Sequence, residues 1–133
     1  TLLVEKIKKL QLNNVFIERP VMRDKLLKAY NNADILFIHL NNYDSFLKVL
    51  PSKIFELSCI NKPILAGVSG FAKKFLNNEV SDSYVFNPCS VEGLLNSIKL
   101  IDLKKKIDRL SFKKKYNRKN ITKGLAKSII NYI

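Results

Sequence analysis

Apolar residues along this chain switch repeatedly between helical and strand-like spacing, and the switching sets the expected architecture. Leu3, Ile7 and Leu10 recur at helical intervals among lysines, so residues 2–11 read as an amphipathic helix with a solvated basic face. Asn13-Asn14 interrupts the pattern, Val15-Phe16-Ile17 favours a strand, and Glu18-Arg19-Pro20 breaks that strand into a loop. A second helix is expected over about 22–32, with Met22, Leu26, Leu27 and Tyr30 on one face. Asp34-Ile35-Leu36-Phe37-Ile38-His39-Leu40 is a near-continuous apolar run, the pattern of a strand covered on both faces. A short helix of about nine residues begins at Pro51 and stops at Asn61-Lys62-Pro63, because Pro63 cannot continue it. A strand over 63–68, a helix over 71–78 and a strand at Tyr84-Val85-Phe86 follow. Ser90 is placed to cap a helix carrying Val91, Leu94, Leu95, Ile98 and Ile101. Residues 103–133 hold no strand-like run and read as two helices, with Lys104-Lys105-Lys106 and Lys113-Lys114-Lys115 exposed.

Helix–strand alternation at this pitch predicts an α/β fold: a Rossmann-like parallel sheet of four strands flanked by helices, with right-handed crossovers and a C-terminal helical extension over about 103–133. A chain of 133 residues fits one domain, 1–133. An open parallel sheet this small exposes an edge, and the chain begins at Thr1 rather than an initiator Met. The expectation is therefore a partial domain preceded by further β-α units.

In open α/β sheets ligands lie at the carboxyl ends of the strands, which selects the loops at 18–21, 39–45, 49–56 and 68–71. The third is the most informative. Pro51 suits the first helical position, where its missing N–H has no partner to lose. Ser52, Lys53 and Glu56 then share a face, with Ile54, Phe55, Leu57 and Ile60 on the buried sides. A helix start of this kind favours a phosphate, Lys53 adds a formal charge, and Glu56 is one turn further in, where it can accept hydrogen bonds from ribose hydroxyls. The structural alternative is a solvated Lys53–Glu56 pair worth about 0.3 kcal/mol, and spacing alone leaves the two even.

The pattern Pro-Ser-Lys-x-Phe-Glu over 51–56, followed by Lys-Pro-Ile-Leu-Ala-Gly over 62–67, resembles the donor-binding, C-terminal half of retaining GT-B glycosyltransferases of family 4. Within it, the likeness is to the bacterial sugar transferases of capsule, O-antigen and colanic-acid assembly. The resemblance extends to Asn14-Val15-Phe16-Ile17 as the strand before the base-binding loop, to Ala33-Asp34-Ile35-Leu36-Phe37-Ile38 as the next core strand, and to residues 112–133 as the closing helices. Many members carry two glutamates with seven residues between them; here the first position is Lys48 and the second, the ribose ligand, is Glu56. The resemblance implies a donor site of Pro51, Ser52, Lys53 and Glu56, with Arg19, Pro20 and Val21 against the nucleobase and Asp44 and Ser45 near the transferred sugar. It implies a nucleotide-sugar, expected to be a UDP-sugar, as substrate rather than cofactor, and a polysaccharide or lipid-linked acceptor. A preceding GT-B domain is the implied partner, so this chain alone would be an inactive fragment with no catalytic residue to name.

Composition narrows the alternatives. The chain is 47% hydrophobic and 26% charged, which fits a packed core. No apolar run reaches the roughly 20 residues of a membrane span, and no basic segment precedes the first apolar residues as in a leader peptide. The expected location is the cytoplasm, with the inner face of the plasma membrane as a peripheral contact. A formal charge of +13 attracts anionic lipid, phosphorylated substrates or nucleic acid, but the abundance of Lys, Asn and Ile also fits AT-rich coding DNA. The basic run is accompanied only by Phe112 and Tyr116, so no specific nucleic-acid partner is expected. Cys59 and Cys89 make no disulfide framework, and one His without a Cys-x-x-Cys pair makes no zinc site. His39, ending an apolar strand, is expected to be a satisfied core residue. Two other readings remain: a nucleotide-sugar 2-epimerase-like domain, disfavoured by sparse carboxylates, and a basic α/β interaction module that binds nucleic acid.

Overall fold

A computed structural model describes residues 2–132. Along the chain run α1 (Leu2–Lys9), α2 (Arg23–Asn32), β1 (Leu36–His39), a 3-10 helix (Asp44–Lys48), α3 (Ser52–Ser58), β2 (Ile64–Gly67), α4 (Gly70–Glu79), β3 (Ser83–Phe86), α5 (Val91–Lys99), α6 (Leu110–Lys115) and α7 (Arg118–Ile130). The strands form one parallel sheet in the order β1-β2-β3. This is the expected α/β arrangement, a Rossmann-like sheet flanked by helices with further helices at the C-terminal end.

Register places Leu36 and Ile38 opposite Ile64 and Ala66, so these four share one face of the sheet. Against that face pack Ile54, Leu57 and Ile60 from the α3 segment and Ala72 and Leu76 from α4, with Leu27 and Tyr30 of α2 beside them. Phe112 of α6 closes the layer through a ring cluster: its centroid is 4.6 Å from Tyr116 and 6.4 Å from Phe55. The other face carries Phe37, His39, Leu65, Gly67, Tyr84 and Phe86 and receives α5 over β2 and β3. That helix buries Ser97 and turns Gly93 toward Phe86, with Leu94 half-buried beside them. A Cβ on Gly93 would lie 3.2 Å from the Cβ of Phe86, so the missing side chain permits close approach. Val91, Leu95 and Ile98 consequently face outward.

Several expectations are corrected. Residues 13–22 contain no helix or strand, and among the described residues the sheet has three strands, not four. Phe16 stands 79% exposed; β-propensity is a fit to a pleated, half-buried surface, and without a ladder or a covering layer it does not hold a strand. β1 is covered on one face only, Leu36 and Ile38 being buried while Phe37 is 56% exposed. Pro51 is not the first helical residue but the cap before it: its ψ of 136° keeps the chain extended, and its carbonyl accepts from the N–H of Ile54 at 3.0 Å. Met22 likewise precedes α2 instead of joining it.

The tail behaves partly as read. Lys105 and Lys115 are exposed, yet they donate to Asp82 and Glu79 and so tie the C-terminal segment to the loops and helix around β3. Along α7, Ile121, Leu125, Ile129 and Ile130 are exposed. No helix among the described residues is long and apolar enough to cross a membrane.

Candidate functional site

The carboxyl ends of β1 and β2 open onto two segments that pack on each other: the 3-10 helix after β1 and the start of α4 after β2. Gly70 opens α4 with φ +57°, and a Cβ there would come within 2.1 Å of the Leu47 carbonyl oxygen. Only glycine satisfies both demands, the positive φ and the backbone contact. Asp44 and Ser45 are exposed at the head of the 3-10 helix. Lys48, at its end, joins Leu47, Gly70, Phe71 and Lys74 around a hollow of about 270 Å3. The position that would hold an acid in the resembled family is thus a cation beside a second cation.

The chain then enters α3 through Pro51, which offers no side-chain cap. Ile54, Leu57 and Ser58 turn inward, and this fixes Ser52, Lys53 and Glu56 on the outer side. The Lys53 ammonium donates to the Glu56 carboxylate at 2.8 Å and to the Tyr30 hydroxyl of α2 at 3.1 Å. Those two bonds raise the lysine's pKa above its ordinary value, Glu56 contributing most and Tyr30 next. Side-chain exposures of 46% and 24% leave the pair partly covered but at the surface, within reach of water. It is worth well under 1 kcal/mol to folding. With seven residues, α3 completes fewer than two turns, so most of the positive potential at its start is the formal charge of Lys53 rather than the dipole.

Arg19, Pro20 and Val21 line a separate open groove of about 740 Å3 together with Glu18 and the α2 residues Lys25, Leu26 and Ala29. No hydrogen bond or ion pair among the described residues joins residues 18–21 to residues 51–56. The site residues read from the sequence therefore form two clusters, Lys53 with Glu56 and Tyr30 in one, Arg19 to Val21 in the other. Tyr30 was not singled out by the sequence; its place on the apolar stripe of α2 marked it as a core residue.

His39 is not a core residue. It is exposed at the end of β1, and its Nε2 accepts the backbone N–H of Cys89 at 3.0 Å. Cys59 and Cys89 are both free thiols. Among the described residues no three His, Cys, Asp or Glu side chains gather as a metal site would need.

One buried charge escaped the sequence reading altogether. Arg109, 1% exposed, donates through Nη2 to the Lys62 carbonyl at 2.9 Å, while its Nε and Nη1 have no partner. Burial lowers its pKa, opposed by the nearby Asp82. It lies at the amino ends of β2 and β3, opposite the candidate site, and braces the segments entering those strands. Its only sequence signal is a place between Ile107 and Phe112, both buried.

Compared with known proteins, the chain matches no family model, no curated protein and no solved structure.

Proposed function

We propose that this chain binds a nucleotide-sugar donor as the C-terminal portion of a retaining GT-B glycosyltransferase that acts on a polysaccharide or lipid-linked acceptor. The observation that carries the reading is the Lys53–Glu56 arrangement on α3, a helix entered from the carboxyl end of β1 in a parallel sheet. An ammonium and a carboxylate on one solvent-facing strip offer complementary chemistry to a nucleoside diphosphate. Lys53 attracts the diphosphate oxygens, and Glu56 accepts from ribose hydroxyls. A carboxylate already engaged by Lys53 has remaining lone pairs for such donors.

In this reading the reaction displaces a nucleoside diphosphate from the anomeric carbon of the sugar. The Lys53 charge stabilises the negative charge that develops on the departing diphosphate, an effect that grows as water is excluded. The groove at Arg19, Pro20 and Val21 receives the base against its apolar wall. Asp44 and Ser45, at the exposed head of the 3-10 helix, lie nearest the sugar, and the acceptor is held by a preceding domain.

The test is an NMR titration of the full chain with UDP. Saturable shifts confined to residues 18–21 and 49–56, with a dissociation constant in the millimolar range, are expected. No saturable change at millimolar UDP would overturn the reading.

A further inference from the structure

Lys48 and Lys74 give the carboxyl end of the sheet a second cationic centre, apart from Lys53. The hollow of about 270 Å3 between the 3-10 helix and α4 is lined by Leu47, Lys48, Gly70, Phe71 and Lys74, with no acid among them. Lys53, Lys105 and Lys115 each hold a carboxylate, whereas neither Lys48 nor Lys74 forms an ion pair among the described residues.

Backbone packing fixes where these two charges stand. Gly70 lies so close to the Leu47 carbonyl that no side chain fits between them, which joins the end of the 3-10 helix to the start of α4. Lys48 follows Leu47 directly, and Lys74 lies one turn along α4 from Gly70. Ala72 and Leu76 are buried, so Phe71 and Lys74, three residues apart, share the outer side of the helix. Phe71 is 52% exposed. Two ammonium groups therefore flank one concavity beside an accessible ring. A cleft lined by charges of one sign focuses its field and concentrates ligands of the opposite sign.

The neighbouring residues indicate which anion. In the donor reading, on which this inference rests, Lys53 takes the diphosphate, while Asp44 and Ser45 lie nearest the sugar. Lys48 closes the same five-residue helix that Asp44 opens, so the hollow extends the sugar side of the site. A neutral sugar would leave both lysines without a counter-charge. We propose that the transferred sugar is acidic, a hexuronic acid. Its carboxylate accepts charge-assisted hydrogen bonds from the Lys48 and Lys74 ammonium groups, and the C–H face of its ring lies on the electron-rich face of Phe71.

The experiment is an NMR titration of the full chain with UDP, UDP-glucose and UDP-glucuronate at constant ionic strength. UDP-glucuronate is expected to bind about three- to tenfold more tightly than UDP-glucose, the effect of two solvent-exposed ion pairs. Lys48→Gln and Lys74→Gln should each remove most of that preference. Lys99→Gln removes the same charge from α5, on the opposite face of the sheet, and should keep it. Equal affinity for the two sugar nucleotides, with UDP still binding, overturns the acidic-sugar inference and leaves the donor reading standing. Loss of the preference in Lys99→Gln also overturns it, assigning the effect to net charge. An equal weakening of UDP by Lys48→Gln or Lys74→Gln overturns it too, because the lysines would then hold the diphosphate. If none of the three nucleotides binds, the donor reading fails and the inference fails with it.

Discussion

Gly67 lies directly beneath the imidazole of His39: a Cβ added to the glycine would come within 2.3 Å of the ring's Cδ2, and within 2.8 Å of the Phe86 ring on the other side. The three residues are register partners across the sheet, so the two rings lean over the central strand at a point where it has no side chain. Their centroids are 6.1 Å apart. The glycine thus sets the aromatic cover at the carboxyl end of the sheet, a few residues before the loops of the candidate site.

Gly67→Ala is accordingly expected to destabilise the domain by about 1–3 kcal/mol, the usual cost of overpacking. His39 can swing toward solvent, but Phe86 is buried and cannot. A urea titration followed by circular dichroism checks this, and the Cys89 amide should lose its hydrogen bond to His39 at the same time. An unchanged midpoint would mean that the rings re-seat at no cost.

Glu56→Gln is expected to weaken nucleoside diphosphate binding by roughly 10- to 100-fold, since a hydrogen bond to a charged group contributes about 1.5–3 kcal/mol. Stability should change by less than about 1 kcal/mol, because the Lys53–Glu56 pair is solvent-screened. Calorimetric titration and thermal melting together separate the two effects. Unchanged affinity would leave Glu56 a partner of Lys53 and nothing more.

Glu79 provides a pH-dependent contact. Its hydrogen bonds to Lys115 first and Tyr116 second lower its pKa below the ordinary 4.5. A carboxylate with a depressed folded-state pKa stabilises the fold above the unfolded value and loses that contribution as pH falls through the folded one. Stability should therefore decline as pH drops below 4.5, and Glu79→Gln should make that decline shallower. Denaturation midpoints measured from neutral to acidic pH decide it; identical slopes would show that the exposed pair is fully screened.

The charge of +13 gives a further test. DNA is expected to bind without sequence preference and to lose most of its affinity between low and physiological salt, as counterion release requires. UDP binding should fall much less, since base and ribose contacts are not ionic. A tight, sequence-dependent complex with nucleic acid at physiological salt would favour the interaction-module reading over the transferase.

How much was legible depended on how local the cause was. Pro63 after Asn61-Lys62 ends a helix by sterics within its own neighbourhood, and Ser90 caps α5 by accepting the Gly93 N–H at 3.0 Å, so these two helix boundaries followed from the residues themselves. The Lys53–Glu56 pair was likewise readable, because one turn of helix brings positions i and i+3 together whatever surrounds them. Strand cover was not. Leu36-Phe37-Ile38-His39 reads as apolar throughout, yet one face of β1 is packed and the other open, because which face meets a helix depends on where α2, α3 and α5 cross the sheet. For the same reason Leu95 and Ile98 face outward while Gly93 and Ser97 face the sheet: only the three-dimensional fit shows that small residues let α5 come close. Arg109 is buried among segments distant from it in sequence, where the carbonyl of Lys62 accepts a hydrogen bond from its guanidinium. Local sterics and hydrogen bonding are written in neighbouring residues; burial and cross-chain pairing arise only when distant segments meet.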